Sequence, residues 1–410
     1  MKYVMIQGDG MGDVPLPELG GRTPLDAART PHMDRIAARG RLGLIHTIPD
    51  GLPPGSDVGN LSLFGYDPRK YYTGRSPLEA AAMGIELGPD DVAFRLNLVT
   101  LSGAGADEVM DDFAGGHIDS APAAELVQAL SQEMGGGEFR FYPGLSYRHL
   151  MVWHGGTTEM QTTPPHDISG KPAGPCQPSG PGADRLREVM TRSRQIFAGH
   201  PVNAKLRSAE KKTITLGWLW GQGRAPHMPT FRELYRLQGA AISAVDLVRG
   251  VATYAGFEIV HVPGATGFLD TDYRAKGEYA LRALDGADLV FVHIEAPDEA
   301  GHMGDAAEKV KAIEAIDEQV IGPMLAGLPA VGAFKIVVTS DHATPVPLRT
   351  HVATPVPFAI ATGDQLAGQE SDSPKGGGSG LRFHEADAAK AGAVIREGHT
   401  LISHLIAYPE

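Results

Sequence analysis

Three short apolar runs, over residues 3–6, 289–294 and 334–338, each give way within a few positions to an aspartate: Asp9, Asp298 and Asp341. Runs of aliphatic and β-branched residues with no polar alternation suit strands buried on both faces, and such strands belong to parallel sheets covered by helices on each side. Between them the period turns helical, over 30–37, 230–238, 243–255, 275–285 and 305–326, with further strands over 43–48 and 258–262. Strand and helix in alternation predict a doubly wound α/β sheet. Ligands of such sheets gather outside the carboxyl ends of the strands, so the three aspartates can converge there.

That order is interrupted. After Gly88-Pro89 the run Val92-Ala93-Phe94-Arg95-Leu96-Asn97-Leu98-Val99-Thr100 alternates apolar residues with Ala, Arg, Asn and Thr, the pattern of a half-exposed antiparallel strand. Further strands are expected over 139–142, 148–153, 159–162 and 213–220, helices over 122–132 and 185–197, and a long Pro/Gly/Ser-rich loop over 164–183. A chain of 410 residues exceeds what one core usually serves. We therefore expect two domains, a discontinuous sheet domain of residues 1–88 and 228–410 and an inserted, smaller α+β domain of residues 89–227. The segment 371–380, with Gly376-Gly377-Gly378, reads as a mobile loop near the ligand face of the sheet.

Charge narrows the partners. A net charge of -13 disfavours nucleic acid and anionic membrane, which call for a basic face. A small anionic substrate remains compatible if metals or local cations reverse the field. Cys176 is the single cysteine and can form no internal disulfide. No run approaches the roughly 18 apolar residues of a membrane span, and the start of the chain lacks a signal-peptide core. A cytoplasmic protein is expected, with homo-oligomerisation left open.

The chemistry-bearing residues lie where the sheet order places ligands. Ser56, in Pro53-Pro54-Gly55-Ser56-Asp57, stands at a helix start, where a hydroxyl serves either as an N-cap or as a nucleophile. Asp298 and His302 are four residues apart, on one face of a helical turn. Asp341-His342 follows another strand, and His351 adds a further imidazole. Gly8, Gly10 and Gly12 miss the dinucleotide-binding spacing, and no helix starts there. The oxygen and nitrogen donors suffice for two metal ions sharing one serine.

Gly8-Asp9-Gly10, Pro54-Gly55-Ser56-Asp57, Glu295-Ala296-Pro297-Asp298-Glu299-Ala300-Gly301-His302, Ser340-Asp341-His342 and His351 together resemble the archaeal-type, cofactor-independent phosphoglycerate mutases of the alkaline phosphatase superfamily. The resemblance covers nearly the whole chain. It implies two divalent ions, typically Mn2+ and in other members Zn2+, Mg2+ or Co2+, and no 2,3-bisphosphoglycerate. One ion would be held by Asp298, His302 and His351, the other by Asp9, Ser56, Asp341 and His342, with Ser56 the nucleophile. His117 resembles the family's substrate-binding histidine. Arg95, Arg148 and Arg224 are candidate clamps for carboxylate and phosphate, and Lys276 is a candidate for neutralising the phosphoryl group. The insert would act as a lid, with hinges near residues 88–89 and 223–226.

The run Ser146-Tyr147-Arg148-His149-Leu150 and the turn Leu219-Trp220-Gly221-Gln222-Gly223-Arg224 also resemble a branch proposed to phosphorylate homoserine in threonine biosynthesis. That activity would keep Ser56 and change donor and acceptor. A metal-dependent phosphatase is a third reading, disfavoured because a large lid is least needed when water is the acceptor. A non-catalytic protein would have no use for a serine amid so many metal donors.

Overall fold

The structure is a computed structural model describing residues 1–368 and 380–409, without the side chain of Ala106. The segment expected to be a mobile loop, 371–380, lies outside the described residues except for Gly380. Thirteen strands are described: β1 (Lys2–Gly8), β2 (Arg41–Ile45), β3 (Asp91–Ser102), β4 (Val109–Asp112), β5 (Phe139–Tyr142), β6 (Arg148–His154), β7 (Leu216–Gly223), β8 (Gly239–Ile242), β9 (Glu258–Ile259), β10 (Leu289–Ile294), β11 (Phe334–Thr339), β12 (Val356–Thr362) and β13 (Ala393–Ile395). The chain divides into two compact units, residues Met1–Tyr72 with His227–Glu410, and Thr73–Pro226.

In the first unit the described residues form an eight-stranded sheet of order β13-β2-β12-β11-β1-β10-β8-β9. From β11 through β1, β10 and β8 to β9 every pairing is parallel, whereas β12 runs antiparallel to both β11 and β2. β10 and β11 are buried throughout, which is why they read as largely apolar runs, broken only by His293 in the first and by Lys335 and Thr339 in the second. One face packs Val4, Ile6, Val290, Val292, Ile336 and Val338 against the helices Pro31–Arg39, Tyr273–Ala283 and Gly322–Val331. On the other, Phe64 follows the helix Ser56–Leu63 and stacks on Phe291 of β10, with ring centroids 4.2 Å apart. Helices thus cover both faces of an α/β sheet, as the alternation required.

Several elements depart from the sequence pattern. The long helix expected over 305–326 is Ala306–Ala315, then a π turn at Ile316–Ile321, then a helix to Val331 with Pro329 inside. The strand expected over 159–162 is only a bridge from Gln161 to Ser179. β8 is four residues wedged between helices, too short for its period to declare itself.

The second unit carries an antiparallel sheet with β7 and β6 on opposite sides of β3, β5 beyond β6, and β4 on the end of β3. The helices Ser120–Met134 and Ala183–Ala198 supply Leu126, Leu130, Leu186 and Val189 to its core. This unit also takes in residues 73–88, ahead of the expected boundary at 89. The helix Arg75–Ala82 packs on β3 and β7, and Ser76 Oγ donates to Gly221 O.

Candidate active site

The register of the central strands sets the level of the site. Gly8 pairs with Ile294 and Gln7 with Thr339, so Asp9, Glu295 and the stretch from Ser340 to His342 leave the sheet side by side. The loop after β1 passes tightly under its neighbours. Gly10 has φ +59°, and a Cβ there would lie 2.6 Å from both Asp298 Oδ1 and Thr344 Oγ1. Only glycine fits that backbone.

Ser56 is the first residue of its helix, after Gly55 at the cap position, and its Oγ lies 3.1 Å from His342 Nε2. It does not cap the helix. One turn on, a Cβ at Gly59 would stand 2.7 Å from Asp341 O, so the missing side chain lets the helix abut the exit of β11.

The hydrogen bonds fix which nitrogen of each imidazole is free. Thr344 Oγ1 donates to Asp298 Oδ1 and therefore accepts from His342 Nδ1, 3.2 Å away. His342 Nε2 then keeps its lone pair, facing Ser56 Oγ, Asp341 Oδ2 at 3.3 Å and Asp9 Oδ1 at 3.4 Å. In the same way His302 Nδ1 donates to Arg349 O at 3.0 Å, turning its Nε2 toward Asp298 Oδ2 at 3.1 Å and His351 Nε2 at 2.9 Å. Such a hydrogen bond behind an imidazole is what orients a ligating histidine. His351 Nε2 is 3.5 Å from Asp298 Oδ1, and Asp341 accepts from Gly10 N and Asn60 Nδ2.

Electrostatics show the cluster to be over-supplied with negative charge. Burial, then Asp341, Glu295 and Asp298, push Asp9 well above the usual carboxylate range, and burial with Asp298 and Asp341 does the same to Glu295. Burial also opposes ionisation of Asp298, but the protons that charged His302 and His351 give it outweigh that and hold the carboxyl well below its ordinary value, while Asp298 in turn raises His302 to about 9; a cation would take the place of those protons. Asp9 Oδ1 is buried without a hydrogen-bond partner. Unneutralised carboxylates facing imidazole lone pairs are the donor set of a cation site. Asp9, Asp341 and His342 have ligand atoms within 4.8 Å of one another, as do Asp298, His342 and His351. The residues fit a metal centre, with His342 common to both groups.

Of the expected substrate residues, Lys276 belongs to this unit. It is fully buried with Nζ on His293 O at 3.2 Å, and burial lowers it to about 8. The other four lie in the second unit. His117 and Arg148 are exposed and both face the Tyr147 ring. Arg95 is buried, its Nε 3.1 Å from Glu79 Oε2 and its guanidinium 4.5 Å from the Trp220 ring. Arg224 donates to Pro89 O and Gly156 O at 3.1 and 2.6 Å.

Sequence reasoning passed over His293, Thr344, Asn60 and Lys309. His293 is a lone polar residue in the run Leu289–Ile294, and its Nε2 is 2.7 Å from Asp9 Oδ2. Its place in an otherwise apolar strand is the signal that could have found it. Lys309, buried in the helix Ala306–Ala315, donates to Gly12 O, Thr344 O and Asp13 Oδ2 at 3.0, 2.8 and 2.7 Å. It ties the loop after β1 to the loop after β11.

The first unit thus combines a doubly wound sheet, a carboxylate and imidazole cluster at its parallel strand ends, and a helix-terminal serine beside that cluster. The sequence model of the 2,3-bisphosphoglycerate-independent phosphoglycerate mutases matches residues 37–203. The chain is 50% identical over 408 residues to the mutase of that name from Methanothrix thermoacetophila, covering 99% of this chain and 100% of that one. It belongs to this enzyme family. A second mutase of the same description, from Methanothermobacter thermautotrophicus, is 53% identical over 363 residues, covering 88% and 89% of the two chains. Among solved structures, a Pyrococcus horikoshii protein aligns with TM-score 0.79 and 31% identity, covering 99% of this chain and 96% of that one. The cofactor-independent phosphoglycerate mutase of Thermoplasma acidophilum aligns with TM-score 0.65 and 27% identity, covering 99% of each.

Proposed function

We propose that this chain interconverts 3-phosphoglycerate and 2-phosphoglycerate without 2,3-bisphosphoglycerate, by way of a phosphoserine at Ser56. The observation that carries the reading is the position of Ser56 Oγ, 3.1 Å from His342 Nε2 at the edge of the buried donor cluster. Asp298, His302 and His351 would hold one divalent cation, and Asp9, Ser56, Asp341 and His342 a second. When bound, the cations would supply the charge that keeps the serine oxygen ionised and offsets charge on the transferring phosphoryl group. Mn2+ is our first choice for an oxygen and nitrogen donor set, with Zn2+, Mg2+ and Co2+ as alternatives.

The Ser56 oxygen forms a bond to phosphorus as the bond from phosphorus to the 3-oxygen of the substrate breaks, and the freed 3-oxygen takes up a proton to become a hydroxyl. Glycerate turns in place. Its 2-hydroxyl then attacks the phosphoserine, losing its proton as the serine oxygen departs. The hydrogen bonds that His342 and His302 donate to Thr344 Oγ1 and Arg349 O hold the two rings in one orientation throughout. We assign the anionic ends of the substrate to the exposed His117 and Arg148 of the second unit and to Lys276 of the first, because cationic side chains pair with carboxylate and phosphate, and we read Arg95, paired with Glu79, and Arg224, tied to two carbonyls, as structural. Among the described residues no helix is long and apolar enough to cross a membrane, and we place the reaction in the cytoplasm, where its phosphorylated substrate resides.

The test is a coupled assay of Mn2+-loaded protein with 3-phosphoglycerate and no bisphosphoglycerate, beside a parallel reaction with homoserine and ATP. Turnover to 2-phosphoglycerate that EDTA abolishes is the expected result. A silent mutase reaction with O-phosphohomoserine in the other would move the substrate assignment to homoserine.

A further inference from the structure

His293 is buried near the end of β10, and the strand leaves its ring among Ser243, Asp9 and Glu295. Its Nδ1 lies 3.0 Å from Ser243 Oγ, and its Nε2 lies 2.7 Å from Asp9 Oδ2. Ser243 Oγ accepts the backbone N–H of Val245 at 3.0 Å, and its hydroxyl proton has two acceptors in reach, His293 Nδ1 at 3.0 Å and Val245 O at 3.4 Å, of which the imidazole is the nearer. His293 Nε2 faces carboxylate oxygens, which only accept, Asp9 Oδ2 at 2.7 Å and Glu295 Oε2 at 3.3 Å, so the ring proton belongs on Nε2 and Nδ1 accepts from Ser243. That proton is then given to Asp9 Oδ2. The second oxygen of the same carboxylate, Oδ1, is buried, has no hydrogen-bond partner, and faces the lone pair of His342 Nε2 at 3.4 Å.

We infer that His293, set by Ser243, is a positioning residue that occupies one oxygen of Asp9 and so presents the other, singly and in a fixed direction, to a divalent cation. The inference rests on the metal-centred reading above. It also decides between two roles for the trio Asp9, His293 and Glu295, whose ligand atoms lie within 4.8 Å of one another and could in principle take an ion of their own. A histidine whose Nε2 carries a proton to Asp9 is not a ligand through that nitrogen, and Nδ1 is taken by Ser243. The trio therefore orients a cation held elsewhere and does not add another. A free carboxylate can rotate and offer either oxygen, so fixing it lowers the ordering cost of binding, and partners of this kind affect metal affinity by roughly 10- to 100-fold.

The experiment measures Mn2+ bound per chain, by elemental analysis, and Mn2+ affinity, by titration calorimetry of the metal-free protein. It compares wild type with His293→Leu, His293→Gln and Ser243→Ala, each checked for fold by circular dichroism. Glutamine places an amide N–H at the same number of bonds from the backbone as His293 Nε2 and can still donate to Asp9. The expected results are two ions in wild type, one of them weakened at least about 10-fold in His293→Leu, largely restored in His293→Gln, and weakened to a smaller degree in Ser243→Ala. Wild-type affinity for both ions in His293→Leu overturns the inference. So does a third ion in wild type that both His293 variants lose, since it would make His293 a ligand. If His293→Leu does not fold, Ser243→Ala decides, and unchanged affinity in that variant overturns the inference. A wild-type protein that binds no divalent cation overturns the metal-centred reading itself, which keeps the two failures apart.

Discussion

The two units both bury charge, but they settle it differently. In the second unit the buried Arg95 is paired with Glu79 and lies over the Trp220 ring, and Arg224 donates to two carbonyls, so these charged groups meet protein partners. At the strand ends of the first unit, Asp9, Glu295, Asp298 and Asp341 crowd together, and two of them are pushed up in pKa by burial and by one another. Such crowding is costly unless a cation arrives. Stability alone gives no reason to keep it, so the imbalance marks where the chemistry is.

The largest effect that would sharpen this contrast is removal of the Ser56 hydroxyl. Ser56→Ala should lower mutase turnover by at least about 10,000-fold, since the nucleophile itself is lost. Mn2+ binding and the fold should survive, because six other donors remain. Trapping with radiolabelled 3-phosphoglycerate should yield phosphoprotein in wild type and none in the variant; labelled Ser56→Ala protein would place the nucleophile elsewhere. In both proteins, saturating Mn2+ should raise Tm through preferential binding to the folded state.

Next in size is a charge in the first unit that is settled without a ligand. Lys309→Met leaves Asp13 buried without its cation and should cost about 3–5 kcal/mol in denaturant unfolding. Adding Asp13→Asn should recover part of that loss, a coupling that a double-mutant cycle reads directly. Additive losses would mean that Lys309 acts through its carbonyl contacts to Gly12 and Thr344 alone.

This pair also shows where sequence reading stops. Asp9, Asp298 and Asp341 were legible because each follows a largely apolar run, and two-sided burial in a parallel sheet imposes such runs on any sequence. Asp298 with His302 was legible because four residues make one helical turn. Lys309 was not, for on a helix a lysine reads as solvent-facing until the neighbouring loops are known to close over it. Nor were the partners of the imidazoles, Thr344 and the carbonyl of Arg349, since a tautomer depends on contacts that no local spacing encodes. Residues 73–88 were assigned to the wrong side of the boundary at 89 for a similar reason. Their attachment to β7 rests on the Ser76 contact to Gly221, made across 145 positions of chain.

A smaller effect is expected from Lys276, whose ammonium is lowered to about 8 by burial, with Glu295 opposing. If the charge serves the substrate phosphate, KM for 3-phosphoglycerate should rise as pH passes about 8, and Lys276→Met should raise KM about 10-fold and remove that pH limb. Unfolding cannot mimic the limb. Between about 8 and the ordinary lysine value near 10.4 the unfolded chain binds more protons than the folded one, so this group makes stability rise with pH over that window. A pH limb that persists in Lys276→Met would assign it to another group.

The smallest effect separates anion binding from architecture in the second unit. Arg224 gives its guanidinium to Pro89 O and Gly156 O, which joins the end of β7 to the approach of β3 and to the turn after β6. Hydrogen bonds from a charged donor to carbonyls are worth about 1.5–3 kcal/mol when fully buried and less at a half-exposed position such as this one. Arg224→Ala should therefore cost about 1 kcal/mol of stability, and Arg224→Lys should restore little because an ammonium cannot span two carbonyls in the guanidinium's fixed fork. Arg148, exposed beside Tyr147 and His117, has no such tether to the backbone, so Arg148→Ala should leave stability within about 0.5 kcal/mol of wild type and raise KM. The opposite pattern, with KM rising in Arg224→Ala at unchanged stability, would make Arg224 the anion contact and would break the distinction between charges that the second unit settles internally and charges it leaves for a ligand.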